Sequence, residues 1–280
     1  EGVFKAARIK LSPPRGKKNA PQESGYLMFL SAGQIGRLAE LAITSARGGE
    51  ALDARTVKKI FKEAHAVDIA LFGRMVADDT DLNVDAACQV AHAAENEYDF
   101  FTAVDDEKSR SEEEEDAGAG MMGTVEFSSA TMYRYATVNL DMLVKNLGDG
   151  EAALRALEVF IKGFCLSMPT GKQNTFANRT VPEAVVVTVR EDQPVSLVGA
   201  FEKPIPQDAD HGYVDRSVES LVRYSSTIEE NYGLRPLASL VVALQDSEAV
   251  SSVGERVSFA DLPGRVRDIV APRVPGQERA

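Results

Sequence analysis

The apolar residues of this chain change their spacing repeatedly, from the 3.6-residue period of a helix to the two-residue period of a strand and back. Ser31 and Gln34 have the spacing of a capping box, and Asp53 can cap a second helix. Two predicted helices begin at Ser31 and at Asp53. Four more are predicted over Asn83–Ala93, Glu151–Phe164, Tyr213–Tyr232 and Phe259–Ile269. The predicted strands are Tyr26–Leu30, Val67–Leu71, Asp99–Val104, Thr124–Phe127, Met132–Leu140, Ala184–Arg190, Pro194–Phe201 and Leu240–Leu244. Strands mixed with helices without strict βαβ alternation indicate an α+β fold.

Length and composition predict one large domain, or one domain with substantial insertions, over residues 1–280. The chain has 280 residues and is 44% apolar, which is enough for a sizeable core. Cys88 and Cys165 lie in apolar patterns and are predicted to be buried thiols. The sequence has neither a run of about 18 uncharged apolar residues nor an apolar segment at its start. We therefore expect a cytoplasmic protein with no membrane partner.

The charge is strongly negative but unevenly distributed. The formal net charge is −12, which argues against a protein coated in nucleic acid, because Lys and Arg supply most non-specific affinity for phosphates. Eight acidic residues against two basic ones give the segment 105–116 a net charge of −6. Residues 1–18 carry six basic side chains against one acidic residue. This asymmetry permits a basic face elsewhere on the molecule.

A long β-hairpin is predicted around the acidic segment. The strand Asp99–Val104 enters it, and the chain returns at Thr124–Phe127. The tip contains Gly118, Gly120 and Gly123, which match the G-x-G-x-x-G dinucleotide fingerprint by letter. The motif requires a preceding strand and a positive potential for the pyrophosphate, whereas acidic residues precede these glycines. A hairpin tip is the better interpretation.

The sequence contains partial matches to motifs of catalysis, metal binding and cofactor binding, and each match lacks a required residue or spacing. Gly171-Lys172 lacks the Walker spacing, and the acidic run that begins at Asp79 lacks the glycine and the glutamate of a calcium loop. The three histidines have no partner at zinc spacing. We expect no catalytic residues, no metal and no cofactor, and predict that the protein is not an enzyme.

Several segments in order along the chain carry a more specific signal. They are Val67–Met75, Val84–Ala87, Ala91–Ala93, Asp99–Asp106, Gly123–Ser129, Tyr133–Ala136, Gly171–Gln173 and Ala200–Lys203, with a weaker match at Tyr232–Leu234. Together they resemble the CasC family, the CRISPR RNA-binding backbone subunit of the type I-E Cascade complex. The resemblance covers most of the chain.

This resemblance implies an RRM-like (ferredoxin-like) palm, a helical fingers region at about 31–66 and a β-hairpin thumb at about 102–126. In the family, copies stack along the CRISPR RNA and each thumb folds over it, so that the guide is presented for pairing with target DNA. Recognition is of backbone and shape, as suits a guide of variable sequence. The implied partners are CRISPR RNA, target DNA through the guide, other copies of the chain and other Cascade subunits.

The resemblance also nominates RNA-binding residues. Apolar contacts to bases are expected from Phe100, Phe101, Met75, Met121 and Met122, and contacts to phosphates and sugars from Arg74, Lys172, Gln173, Asn174 and Lys203. Alternatives stay open for three positions. One residue of the Phe100–Phe101 pair packs in the core if the strand alternates, Met75 can be a core residue, and Lys203 can be a plain surface residue.

Two departures from the family and two rival functions qualify this prediction. Family members begin with a strand and a basic Ser-Ser-Gln segment not found before Glu1, and the stretch Ala93–Glu97 is shorter than expected. Some palm strands and RNA contacts are therefore expected outside this sequence.

One rival function is that of an RNA-processing or target-RNA-cleaving endonuclease, for which Asp105 or Asp106 would be the acidic residue. The other is a pure assembly subunit that leaves RNA to its partners.

Overall fold

The computed structural model describes residues 2–16, 20–49, 51–95, 100–105, 124–171, 173–206, 210, 212–244 and 248–274. For residues 100–105 and 124–129, and for residues 175, 248 and 249, it describes the backbone alone.

Helices and short strands alternate irregularly along the described chain. The helices are α1 (Gly2–Ala6), α2 (Ala32–Gly48), α3 (Ala54–Lys62), α4 (Val67–Phe72), α5 (Leu140–Leu147), α6 (Gly150–Leu166), α7 (Gln173–Phe176), α8 (Tyr213–Tyr232), α9 (Glu248–Val253) and α10 (Leu262–Val270). Turns of 3₁₀-helix lie at Thr80–Leu82, Val198–Phe201 and Ala271–Arg273. The strands are β1 (Leu11–Ser12), β2 (Glu23–Ser24), β3 (Cys88–Val90), β4 (Ala94–Glu95), β5 (Phe100–Asp105), β6 (Thr124–Ser129), β7 (Met132–Tyr133), β8 (Ala136–Val138), β9 (Ala184–Val189), β10 (Ala238–Ala243) and β11 (Glu255–Arg256). The predicted α+β class is confirmed.

The chain divides into two compact units, each assembled from segments that are distant in sequence. The first unit contains Glu1–Val90, Ala136–Pro182 and Ser258–Ala280, and the second contains Ala91–Tyr135 and Glu183–Val257. The expected single domain with insertions at 31–66 and 102–126 stays a prediction.

Helix capping and an apolar stripe organise the first unit. The hydroxyl of Ser31 accepts from the N–H of Gln34 at 3.0 Å, and the Gln34 side chain accepts from the N–H of Ser31 at 3.1 Å, which confirms the predicted capping box of α2. Asp53 caps α3 as predicted. A buried cluster then joins α1, α2 and α3 to the residues that follow α4; its members are Val3, Ala7, Ile9, Leu38, Val57, Phe61, Val76 and Leu82.

A three-stranded sheet forms the centre of the second unit, in the order β11-β10-β9. β9 and β10 are antiparallel with Leu240 opposite Val187, and β10 and β11 are parallel with α9 as the crossover. Gly254 ends that crossover, where an added Cβ would overlap the backbone of Ser239. Only glycine lets the connection approach β10 this closely.

The base of the predicted hairpin is confirmed. β5 and β6 are antiparallel, with Phe100 opposite Ser129 and Asp105 opposite Thr124. The predicted tip at 106–123 lies outside the described residues.

Two short segments have the opposite secondary structure from that predicted. Val67–Leu71 is part of helix α4, with Ile69, Ala70 and Leu71 all buried, so its two-residue alternation was misleading over so short a run. The predicted helix Asn83–Ala93 is wrong as well, since Cys88–Val90 forms β3 and pairs with β8. That pairing joins residues 46 to 50 positions apart, which local periodicity does not register.

Other predicted boundaries need smaller corrections. The predicted strand Pro194–Phe201 is an irregular segment that ends in a 3₁₀ turn, and the described structure has no strand at Tyr26–Leu30. The predicted strand Met132–Leu140 divides into β7 and β8, and Leu140 already begins α5. Cys88 and Cys165 are buried free thiols as predicted, and burial raises the pKa of the Cys88 thiol to about 11.

Candidate nucleic-acid interface

A glycine turn at the end of α4 shapes the first candidate region. Gly73 has a φ of +78°, and its N–H donates to the carbonyl of Ile69 at 2.9 Å. A Cβ at this position would lie 2.6 Å from the carbonyl oxygen of Val84. Glycine therefore provides both the left-handed conformation and the space for the neighbouring backbone.

The residues after this turn, 73–76, form a segment that presents Met75 to solvent. Arg74 and Val84 exchange two backbone hydrogen bonds of 2.9 Å, and the N–H of Val76 donates to Asn83 Oδ1 at 2.6 Å. The side chains of Arg74 and Val76 are 5% and 0% exposed, whereas Met75 is 77% exposed. Met75 is thus an apolar side chain held outward between two anchored neighbours. The alternative that it is a core residue does not apply to the described chain.

The guanidinium of Arg74 is directed into the protein. Its Nε and Nη2 donate to the carbonyl of Leu82 at 3.1 and 2.7 Å, and Nη2 also donates to the carbonyl of Phe61 at 2.9 Å. Phe61 lies in the last turn of α3, where a cation compensates unpaired carbonyl groups. Burial lowers the pKa of Arg74 from its ordinary value. These contacts give Arg74 a positioning role for the 73–76 segment, and its predicted phosphate contact stays a prediction.

A second buried polar side chain reaches the same helix end. Gln34 Nε2 donates to the carbonyls of Phe61 and Glu63, both at 2.9 Å, and lies 3.2 Å from His65 Nδ1. Burial, and then the positive charge of Arg74, lower the pKa of His65. Helix α2, the end of α3 and the 73–76 segment are therefore joined by one hydrogen-bond network.

Two exposed aromatic residues are connected with the 73–76 segment, one through its position in sequence and the other through a backbone contact with Arg74. Phe72 immediately precedes the glycine turn, and the carbonyl oxygen of Phe29 lies 3.5 Å from Nη1 of Arg74. Both side chains are more than half exposed. Exposed apolar side chains mark a contact surface where they form a contiguous patch, so Phe72 and Phe29 are added to Met75 as candidates on the ground of exposure alone.

The second candidate region surrounds Lys203. Phe201 and Ile205 are buried on either side of it, while Lys203 itself is exposed. The flanking backbone is attached to α8, since Ser220 Oγ donates to the carbonyl of Ala200 at 3.0 Å and Arg216 Nη1 donates to that of Pro206 at 2.7 Å. Between this segment and α8 is a cavity of about 350 Å³, which we call the Lys203 cleft; its lining residues are Gly199, Ala200, Glu202, Lys203, Pro204, Ile205, Pro206, Arg216, Glu219, Ser220 and Arg223.

The remaining nominated residues are less fully described. Gln173 Oε1 accepts from Arg179 Nη2 at 2.8 Å, and Asn174 is exposed. Phe100 and Phe101 are adjacent on β5, where the backbone pairs them with Ser129 and Ser128 of β6. Three nominated residues lie outside the described part of the chain: Met121, Met122 and Lys172.

The structure distributes the nominated residues between the two units. Arg74, Met75, Gln173 and Asn174 belong to the first unit, whereas Phe100, Phe101 and Lys203 belong to the second. Sequence reasoning missed the cationic residues Arg216 and Arg223, which share the Lys203 cleft. They are seven residues apart on a helix whose bounds were correctly predicted, so helical spacing already placed them on one face of α8.

Two absences hold for the described residues only. Among them, no group of three or more His, Cys, Asp or Glu side chains has the arrangement to hold a metal ion. Within the same ranges, no helix combines the length and apolar character needed to cross a bilayer.

Comparison with known proteins places the chain in a family. A model of the CT1975-like protein family matches residues 1–263. The chain belongs to the CT1975-like protein family. No curated protein matches this CT1975-like chain.

Two solved structures contain chains similar to this CT1975-like protein. One is described as a CRISPR RNA-guided surveillance complex, pre-nicking; its chain is 28% identical with a TM-score of 0.79, and the match covers 96% of this chain and 77% of the other. The second is described as a CRISPR RNA-guided surveillance complex; its chain is 25% identical with a TM-score of 0.70, and the match covers 96% and 74%. The chain is therefore homologous in structure to subunits of CRISPR RNA-guided surveillance complexes, and its assignment to type I-E CasC stays a prediction.

Proposed function

We propose that the chain is a CRISPR RNA-binding backbone subunit of a type I-E Cascade complex. Copies would assemble side by side along the guide RNA, together with other Cascade subunits, and present the guide for pairing with target DNA. We further propose that the protein acts in the cytoplasm, is not an enzyme and needs no cofactor.

The observation that carries this proposal is the extent of the structural match. A chain of a CRISPR RNA-guided surveillance complex matches 96% of this chain with a TM-score of 0.79, so the similarity includes both compact units. The family segments identified in the sequence supply the finer assignment to the backbone subunit. An RRM-like palm, fingers at 31–66 and a thumb at 102–126 are part of this proposal.

The described geometry suits particular residues to particular roles. Met75 is held outward by its anchored neighbours, which favours a wedge against bases because its backbone is already positioned and its flexible side chain can adapt to any base. Arg74 would act indirectly, by fixing the backbone on which Met75 is carried.

The other nominated residues complete the proposed interface. Phe100 and Phe101, at the base of the hairpin, would stack on bases, and stacking on a base is worth about 1–3 kcal/mol. Met121 and Met122 would press on a base, while Lys172, Gln173, Asn174 and Lys203 would contact the RNA backbone. Such contacts do not depend on base identity.

The test is co-expression of the chain with a CRISPR RNA and the other Cascade subunits, followed by size-exclusion chromatography with and without nuclease treatment. We expect co-elution of several copies of the chain with one protected RNA. A chain that elutes as a monomer free of RNA, while its partner subunits are present and folded, would overturn the proposal.

The same preparation separates the binding role from the endonuclease alternative. Incubation of the complex with Mg²⁺ and a complementary RNA should leave both strands intact. Metal-dependent cleavage at regular intervals, lost on substitution of Asp105 or Asp106 by Asn, would instead establish the nuclease.

A further inference from the structure

We propose that the Lys203 cleft binds one phosphodiester group of the RNA backbone, with Lys203 and Arg223 as its cationic ligands. This inference rests on the proposed function and adds to it a ligand group and a second binding residue.

The cleft has a rigid frame. Hydrogen bonds from Ser220 and Arg216 fix the backbone at Ala200 and Pro206, and Phe201 and Ile205 are buried between those anchors. Tyr133 adds a third attachment, because its hydroxyl accepts from the N–H of Leu197 at 2.9 Å and its ring packs on Phe201 at a centroid distance of 5.4 Å. Lys203 therefore extends from a backbone whose position is set before any ligand arrives.

Two cations of the cleft are available to a ligand. Arg216 donates to the carbonyl of Pro206 and so contributes to the frame. Among the described residues, neither Lys203 nor Arg223 has a side-chain hydrogen bond or ion pair, although both line the cavity. Two like charges that face one cavity repel each other, and an anion between them removes that repulsion.

Two carboxylates share the cleft with its three cations. Glu202 and Glu219 share the lining with Lys203, Arg216 and Arg223, which leaves a net charge of +1. A net positive lining attracts an anion. Under the proposed function, the anionic group that an RNA strand presents along its length is the phosphodiester. The apolar surface of Pro204, Ile205 and Pro206 can pack against the adjoining sugar.

The experiment uses the complex co-purified with its CRISPR RNA and measures the RNA retained as NaCl is increased. Arg223→Gln and Lys203→Gln each remove one cation, and Glu219→Gln removes one carboxylate. The matched control is Lys162→Gln, an exposed residue of α6 in the other unit. A photo-crosslinking residue at position 223, compared with one at 162, reports contact directly.

We expect the Arg223→Gln and Lys203→Gln complexes to release RNA at a lower NaCl concentration than the wild type. The Glu219→Gln complex should release it at a higher concentration, and the control should match the wild type. Loss of one phosphate contact should reduce the slope of log affinity against log salt by about 0.7 for single-stranded RNA. The crosslink at position 223 should be to RNA.

Other outcomes identify what has failed. A wild-type complex without RNA would defeat the proposed function and this inference together. The inference alone would be overturned if the wild-type complex holds RNA, all four variants release it at the same salt concentration, and position 223 gives no crosslink to RNA. A crosslink from 223 to a protein subunit would show that the cleft is a protein contact, which also overturns it.

Discussion

Arg74 and Lys203 are two cations with the same predicted role, and the structure places them in opposite environments. Arg74 is 5% exposed and donates to backbone carbonyls at the end of α3 and at Leu82. Lys203 is exposed and has no side-chain partner among the described residues. The two basic residues are therefore suited to different roles in the proposed interface: Lys203 to contact with the ligand, and Arg74 to fixing the backbone beside Met75.

The difference follows from the chemistry of the two side chains. A guanidinium has five donors in a planar fork, so it can bind several carbonyl groups at once while remaining charged. An ammonium on a flexible stem is more strongly hydrated and remains at the surface. Substitution of Arg74 should accordingly lower the free energy of unfolding, whereas substitution of Lys203 should weaken RNA binding.

The largest expected effect is on stability at Arg74. Arg74→Ala removes the donors to the carbonyls of Phe61 and Leu82, which leaves buried acceptors unpaired, and we expect a loss of about 3 kcal/mol in the free energy of unfolding. Lys203→Ala, the matched change at an exposed cation, should alter it by less than about 0.5 kcal/mol. Urea unfolding followed by circular dichroism measures both. Equal losses of unfolding free energy in the two variants would contradict the distinction between a buried, structural Arg74 and an exposed Lys203.

The glycine turn before Arg74 should have the next largest effect. Gly73→Ala imposes a side chain at a φ of +78° and a contact with the Val84 carbonyl, so we expect a loss of about 2 kcal/mol. The control is Gly36→Ala in α2, where a Cβ meets no atom within 4 Å and helix propensity improves by about 1 kcal/mol. The two changes should shift the urea midpoint in opposite directions. A neutral Gly73→Ala would show that the segment is not fixed by this turn.

Met75 should affect RNA binding without affecting stability. Because its side chain is 77% exposed, Met75→Ala should leave the unfolding free energy unchanged within about 0.5 kcal/mol. It should weaken RNA retention in the complex by about 1 kcal/mol, through lost apolar contact with a base. Val159→Ala in α6, which removes a similarly exposed apolar side chain, is the control. Equal retention in the two variants would contradict a wedge role for Met75.

The smallest expected effect is a pH dependence at His65. Burial and the charge of Arg74 lower the pKa of His65 in the folded protein, so the unfolded chain binds the proton more readily. Stability should therefore fall as the pH drops below about 6.5, the ordinary histidine value. The wild type should lose more stability than His65→Gln between pH 7.5 and pH 5.5, measured by urea unfolding. An identical loss in both proteins would show that His65 does not contribute.

Predictions from sequence succeeded where the signal is local. The capping box at Ser31, the cap at Asp53 and the bounds of α8 depend on residues a few positions apart, and each is confirmed. They failed at α4 and β3. The six residues of α4 bury three consecutive side chains, and β3 exists because of its pairing with β8. In both cases contacts distant in sequence overrode the local pattern.

The candidate site shows the same division. The sequence nominated Met75, Lys203 and their neighbours through family segments, and the structure shows both side chains exposed. It did not nominate Arg223, because the helical spacing that places Arg223 and Arg216 on one face of α8 does not say which segment packs against that face. Only the approach of the Gly199–Pro206 segment to α8 brings Arg223 to the cavity that Lys203 lines.

By itself the sequence determined the α+β class, the capped helices and the order of family segments, because each depends on residue type and short spacing. The tertiary structure alone decided that Arg74 faces inward, that Met75 faces outward and that Arg223 joins Lys203. Those outcomes depend on which backbone carbonyls and which helix face lie nearby after folding. The physical reason is that burial and hydrogen bonding, rather than residue identity, fix what a charged or apolar side chain can contact.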